Sequence, residues 1–134
     1  MSRDMVAGLI LQNRRLLLVH NTKYNLRIEP PGGKVEPNET YESAVIRELS
    51  EELGLAVSVG SLFGVYPTQT PEGPFNCRMY WCTTTGKPTL KEPDKISQFS
   101  WYSLPEIQQF EKAGTLAPNL CTALPDIVPY LTHK

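Results

Sequence analysis

Glu48, Glu51 and Glu52 stand at i, i+3 and i+4 spacing in the segment Arg47-Glu48-Leu49-Ser50-Glu51-Glu52. On a helix turning about 100° per residue they fall within a wedge of roughly 100°, so three carboxylates project to one side. Like-charge pairs at these spacings destabilise a helix by about 0.2–0.5 kcal/mol each in water, and by more where solvent is partly excluded. A divalent cation offsets that repulsion. Magnesium takes oxygen ligands, keeps several waters and is held by a small number of carboxylates together with substrate phosphates, which is what this face offers. Arg47, at i, i+4 spacing from Glu51, can clamp a neighbouring carboxylate in place. Upstream, Gly32-Gly33 permits the backbone to approach a ligand closely and to turn a carbonyl toward a metal. A Glu/Arg-rich helix is nevertheless more often a solvated face, so the glutamates alone do not decide and the flanking loop must.

The elements that must position these residues follow from local pattern. Thr40 can cap a helix running to about Leu53, although Ser43 stands where a capping box would want Glu, leaving the cap half built. Ile46, Leu49 and Leu53 are expected to face the core, and Gly54 supplies the positive φ that ends the helix. Val6 to Leu11 and Arg15 to Val19 read as a β-hairpin about Gln12-Asn13-Arg14, and Pro30-Pro31-Gly32-Gly33 reads as a loop. Leu55 to Val65, Phe75 to Thr84 and Ile96 to Tyr102 read as strands, parted by Pro/Gly-rich loops at Pro67 to Pro74 and Gly86 to Pro93. Leu104 to Phe110 is expected to form a short helix with Pro105 in its first turn, and Leu120 to Leu131 another that must accommodate Pro125 and Pro129.

Composition bounds the partners. A chain of 134 residues with 40% hydrophobic residues is expected to build one core and one domain, residues 1–134. Its net charge of −1 gives no global positive field to draw it onto nucleic acid or an anionic membrane, so a polyanionic substrate must be held locally. The start, Met1-Ser2-Arg3-Asp4-Met5, is unlike a secretory signal, and no run approaches a membrane span. Cys77, Cys82 and Cys121 form no CxxC pair, and His20 and His133 are the only histidines. That argues against a disulfide framework and a structural zinc site, and a reducing cytoplasm is the expected location.

Gly33, then Glu39, then Arg47-Glu48-Leu49-Ser50-Glu51-Glu52-Leu53-Gly54-Leu55 resembles the Nudix box, Gly-x5-Glu-x7-Arg-Glu-apolar-x-Glu-Glu-x-Gly-apolar. Every specified position agrees. At about 7% for each of seven fixed letters, chance agreement at a given start is roughly one in a hundred million, which overturns the solvated-face reading. The flanking Glu29-Pro30-Pro31-Gly32-Gly33-Lys34-Val35-Glu36 also resembles the usual approach to the box, with Pro30 where an aromatic is common. The resemblance implies the Nudix fold, an α/β architecture in which a mixed β-sheet is sandwiched between α-helices. It implies cleavage of a diphosphate bond by metal-activated water. Glu51 and Glu52, helped by the Gly32 carbonyl, would ligate magnesium or manganese, with Glu48 as a further metal-site residue that holds or deprotonates the attacking water. Arg47 would orient that water and Glu39 would steady Arg47. Glu92 or Asp94 offers a further ligand, or simply solvated loop charge. Arg27 and Lys34 are candidate phosphate contacts.

The box fixes the bond cleaved and leaves the attached group open. Leu116-Ala117-Pro118-Asn119 resembles the stretch before the last helix in antimutator nucleoside-triphosphatases of the family, where an Asn reads the purine; Asn119 is equally readable as a helix cap. Pro71 lies 16 residues beyond Leu55, close to where ADP-ribose-cleaving members carry a proline, whereas Glu72 stands where dinucleoside-polyphosphate hydrolases would show tyrosine. The chain begins almost at its first strand, which favours the smaller triphosphate-type members. The expectation is therefore (d)NTP hydrolysis to NMP and pyrophosphate, with ADP-ribose or ADP-sugar cleavage as the alternative, by a monomer or homodimer. A non-catalytic nucleotide-binding module is the remaining class. Such relatives usually lose a box glutamate, and here Glu48, Glu51 and Glu52 are all present.

Overall fold

Hydrophobic alternation decides which side of each strand carries which core. In the computed structural model, which describes residues 3–23 and 25–132, the elements run β1 (Asp4–Leu9), β2 (Leu11–Gln12), β3 (Arg15–Asn21), β4 (Arg27–Glu29), β5 (Gly32–Lys34), α1 (Tyr41–Leu53), β6 (Ser58–Thr70), β7 (Gly73–Thr83), β8 (Ile96–Tyr102), α2 (Leu104–Ala113) and α3 (Pro118–Leu131). One sheet has the order β5-β1-β7-β6, with β1 and β7 parallel and the other pairs antiparallel. In the second, β2 and β4 pair successive stretches of β3, and β8 pairs β3 as well.

Both faces are covered, so central strands are apolar throughout. Leu16, Leu17, Leu18 and Val19 are all fully buried. Val6, Ile10, Leu17 and Val19 join Val45, Leu49 and Leu53 of α1 in one core, while Ala7, Leu9, Leu16 and Leu18 join Ile107 of α2 and Leu120 and Ile127 of α3 in the other. The result is the expected mixed-sheet sandwich. Among the described residues no helix is long and apolar enough to cross a membrane. Met1, Ser2 and His133, which entered the composition argument, lie outside the described residues.

Several local expectations are corrected. The hairpin is confined to Leu11–Gln12 against the start of β3, turning through Asn13 and Arg14 at φ 53 and 60. β1 instead joins the other sheet, because an unbroken buried run belongs in a central strand. The Pro30–Gly33 stretch is no simple loop, since Gly32–Lys34 pairs with β1 in the register Ala7↔Gly32, Val6↔Gly33 and Met5↔Lys34. Likewise Pro67 to Pro74 is mostly strand, with β6 and β7 running to a turn at Pro71-Glu72. Pro67 is tolerated because β6 is an edge strand with no partner on one side.

In α1, Ser43 completes the cap that seemed half built. Its hydroxyl accepts from the Thr40 N–H (3.1 Å) and the Thr40 hydroxyl accepts from the Ser43 N–H (3.1 Å). Ile46 is 45% exposed, and Val45 takes its expected place in the core beside Leu49 and Leu53. Gly54 ends the helix at φ 64, as expected. In α3, Pro125 and Pro129 lie on the exposed side, and the buried stripe Leu120, Ala123, Leu124, Ile127 and Leu131 carries the helix through them.

Candidate active site

Arg47 is the hub of α1. Its Nε and Nη2 donate to the two oxygens of Glu39 (2.6 and 2.9 Å), Nη1 donates to Glu48 (3.0 Å) and Glu51 (3.1 Å), and Nη2 also reaches the Lys34 carbonyl (3.0 Å). The fork thereby ties the loop before the helix to the helix itself. Glu39 also accepts the Glu36 N–H (2.9 Å), and its carboxyl is held below the usual range chiefly by the hydrogen bond from Arg47.

The three glutamates are not equivalent. Glu48 is 8% and Glu52 1% exposed, whereas the Glu51 side chain is half exposed on the outer side of Arg47. One Glu52 oxygen accepts the Gly32 N–H (3.2 Å) and the other the Lys95 ammonium (2.7 Å). Burial pushes the Glu52 carboxyl up to about 8 against the opposing pull of Lys95. Burial raises Glu48 as well, opposed by Lys95 and Arg47, and raises Glu29, opposed by a hydrogen bond from Asn21. Carboxylates whose charged forms are this costly form a site short of positive charge.

Glu48 opens into a cleft of about 930 Å³ whose walls include Arg27, Glu29, Gly32, Gly33, Lys34 and Lys95, with Phe75 as an apolar wall. Gly33 lies flush on the Glu48 carboxylate, where a Cβ would stand 2.5 Å from its carbon. Arg27 donates to the Gln69 carbonyl (2.7 Å), and Lys34 pairs with Glu72 at the tip of the β6–β7 hairpin, so both cations are placed on the cleft wall by elements far apart in sequence. Pro71 and Glu72 line the cleft too.

Not every expected residue gathers here. Asn119 is buried at the start of α3, where its side-chain oxygen accepts the Leu120 N–H (2.7 Å) and its side chain meets the Cys77 thiol. Its neighbours Leu116 and Pro118 line the cleft and it does not. In the loop before β8, Glu92 serves through its carbonyl, which accepts the N–H groups of Lys95 and Ile96 (2.9 and 2.8 Å), and neither Glu92 nor Asp94 lines the cleft. That loop delivers Lys95 instead. Lys95 and Glu29 escaped the sequence reading; Glu29 sits in the stretch quoted before the box, while a lone loop lysine carries no spacing signal.

Among the described residues no three acidic, histidine or cysteine side chains converge into a ready-made metal cage. Magnesium does not require one, being held by one or two carboxylates plus substrate phosphates. Glu48 and Glu52, hard oxygen donors on one helix under a glycine pair without side chains, fit that demand, and the cation already drawn to Glu52 is Lys95.

The chain is similar to known proteins in sequence and in fold. A family model described as the NUDIX domain matches residues 1–122. An ADP-ribose pyrophosphatase of Methanocaldococcus jannaschii is 43% identical over 72 residues, 51% of this chain and 43% of that protein. A putative nudix hydrolase of Caenorhabditis elegans is 29% identical over 136 aligned residues, 96% of this chain and 36% of that protein. This chain thus spans less than half the length of either curated relative. A crystal structure of a MutT NUDIX hydrolase from Burkholderia pseudomallei superimposes with a TM-score of 0.73 at 28% identity, covering 79% of this chain and 86% of that one. With the box running intact from β5 through α1, Glu48 and Glu52 set against the glycine pair, and the domain match running from the first strand into α3, the chain belongs to the NUDIX domain family.

Proposed function

We propose that these 134 residues act as a single Nudix domain that cleaves a diphosphate bond in a nucleoside-diphosphate-linked small molecule, with a divalent metal and water. The observation that carries this reading is the pair of buried carboxylates, Glu48 and Glu52, on one helix beside a cleft walled by Arg27, Lys34 and Lys95. A bound magnesium or manganese ion would neutralise phosphate oxygens and make water acidic enough to yield hydroxide near neutral pH. Glu48 and Glu52 would hold it, with Gly32 backbone against them; Glu51 would join only by leaving Arg47. Glu48 holds or deprotonates the attacking water, Arg47 fixes Glu48, and Glu39 fixes Arg47. Arg27 and Lys34 bind phosphate oxygens, and Asn119 supports the cleft wall from behind Pro118.

The substrate reading is a (d)NTP, cleaved to NMP and pyrophosphate. Lys23, Arg27, Lys34 and Lys95 all line the cleft, and that many cations suit the charge of a triphosphate better than that of a two-phosphate ligand. ADP-ribose or an ADP-sugar is the second reading, favoured by Pro71 on the cleft wall and by the similarity to an ADP-ribose pyrophosphatase. The net charge of −1 supports action on small molecules rather than on nucleic acid or membranes. The free thiols of Cys77, Cys82 and Cys121 support a reducing cytoplasm, and the assembly proposed is a monomer or homodimer.

The test is a panel of (d)NTPs, oxidised purine nucleotides, ADP-ribose and ADP-sugars with magnesium, with products identified. NMP plus pyrophosphate from a triphosphate is expected to give the highest kcat/KM. AMP plus ribose 5-phosphate as the favoured products would establish the second reading. No turnover of any member would remove the enzymatic reading, and turnover that survives metal removal would remove the metal's part in it. Glu52→Gln should fold and lose roughly 10²–10³-fold in turnover, the scale for removing a principal electrostatic group.

A further inference from the structure

Lys95 is the one cation within bonding distance of Glu52 among the described residues, at 2.7 Å, and it has two properties that a purely structural counter-ion would not need. First, it faces the substrate side. Glu52 is sealed at 1% exposure, yet the Lys95 side chain is 27% exposed and lines the cleft. Second, its backbone is anchored on both sides while its side chain bonds through its tip, to Glu52. The Lys95 N–H donates to the Glu92 carbonyl (2.9 Å), its carbonyl accepts the Thr22 N–H (2.9 Å), and the same loop is tied to the end of α1 by Lys91 N–H to the Glu52 carbonyl (3.1 Å). Moving the ammonium therefore requires only side-chain rotations, with no loop rearrangement.

A buried carboxylate needed only for stability is more cheaply replaced by an apolar residue than paired with a lysine. Lysine, unlike arginine, is a compact point charge on a flexible stem, able to leave one anion for another. Its surroundings are rich in anions, for Glu29 and Glu48 also feel its charge. A dication placed at Glu48 and Glu52 would meet Lys95 as a like charge close by, while a phosphate entering the cleft would offer that lysine a new partner.

We propose that Lys95 is a positioning residue that stands in for a divalent cation at Glu52 and swings to a substrate phosphate when that cation binds. The idea rests on the metal-dependent reading given above. It makes metal and phosphate binding mutually supportive: metal alone must displace the lysine into solvent, and metal with phosphate gives the lysine somewhere to go.

Binding measurements test this without turnover. Mn²⁺ alone is titrated at pH 8.5 into the wild type, Lys95→Met, Lys95→Arg and Glu52→Gln, by the loss of the free-ion electron paramagnetic resonance signal. Inorganic pyrophosphate is then titrated calorimetrically into each protein at saturating Mn²⁺. Lys95→Met should bind Mn²⁺ roughly fivefold to tenfold more tightly, as removal of a like charge near a dication requires, and bind pyrophosphate weaker by a similar factor. Lys95→Arg keeps the charge but can fork onto the Glu52 carboxylate, so it should bind Mn²⁺ and pyrophosphate no more tightly than wild type and release Glu52 less readily, weakening both. A lysine that merely stays on Glu52 would give the same gain in Mn²⁺ affinity on removal but no loss of pyrophosphate binding, so unchanged pyrophosphate affinity in a folded Lys95→Met protein overturns the proposal, as does unchanged or weakened Mn²⁺ binding. Lys95→Gln repeats the test if the Met variant melts early. Should Glu52→Gln bind Mn²⁺ as tightly as wild type, the metal assignment itself fails and takes this inference with it; a normal loss in Glu52→Gln with no gain in Lys95→Met sinks the inference alone.

Discussion

A methyl group added at Gly32 and the same group added at Gly33 meet very different neighbours. At Gly32 it would overlap the Val6 carbonyl oxygen and lie 2.7 Å from the Ala7 Cα, both parts of the central strand β1. Backbone of a strand buried on both faces has nowhere to go, so Gly32→Ala should cost about 1–3 kcal/mol or more. At Gly33 the three atoms nearest the methyl all belong to the far end of the Glu48 side chain, the carboxylate carbon at 2.5 Å. That end can rotate aside, so Gly33→Ala should keep stability within about 1 kcal/mol. The same rotation moves the group assigned to the attacking water, and a displacement of about 1 Å in a reacting group costs on the order of 10²-fold in rate. Urea denaturation and turnover, measured on both variants, separate the two effects. Wild-type turnover in Gly33→Ala would mean that the position of Glu48 against this loop is not required.

Helix α1 was the most legible element because its signals are local: Thr40 to start, Gly54 to stop, and charged residues at fixed spacing between them. Its rotation was not legible. A helical wheel places Glu48, Glu51 and Glu52 in one wedge, but only the sheet and the β5 loop determine that Glu48 and Glu52 sink while Glu51 stays half exposed. The same rotation exposes Ile46 and buries Val45. Strand pairing was less legible still. The parallel register of Leu9 with Trp81 and the β5 pairing at Gly32 join residues with no local relation, and Gly32 and Gly33 there serve close packing rather than a turn. Lys95 was hidden for the same reason, since its partner lies 43 positions away. What the Arg47 fork does is join two such pieces, the Lys34–Glu39 loop and α1. A lysine cannot present two donors to Glu39 while also reaching Glu48 and the Lys34 carbonyl. Arg47→Lys should therefore lower stability by about 1.5–3 kcal/mol, the range for hydrogen bonds to charged groups. It should also speed hydrogen–deuterium exchange at the Glu36 and Glu39 amides. Unchanged exchange there would show that the loop is held by other contacts.

At the scale of the molecule, two apolar cores flank the strands and the ionisable groups buried between them make stability depend on pH in opposing directions. Glu52, raised to about 8 by burial, binds a proton more readily folded than unfolded, so its contribution is full below its ordinary value near 4.5 and is lost as pH rises through about 8. His20 works the other way. It is 7% exposed, with its Nε2 2.6 Å from the Tyr102 hydroxyl, its Nδ1 3.1 Å from the Gln98 amide, and the Phe110 ring of α2 edge-on to it. Burial lowers its pKa below the ordinary 6.5. The unfolded chain therefore takes up a proton first as pH falls, and the stability conferred by a neutral His20 is full above about 6.5 and lost on acidification toward its folded value. Because Glu52 moves oppositely through the same range, total stability is a poor reporter, whereas the difference between wild type and His20→Gln isolates the imidazole. Glutamine keeps a polar side chain there and does not titrate, so the wild-type advantage measured by urea denaturation at pH 7.5 should shrink at pH 5.5. An advantage that stays constant or grows over that interval would mean that the folded protein accommodates a charged His20 at no cost, contrary to its position between Tyr102 and Phe110.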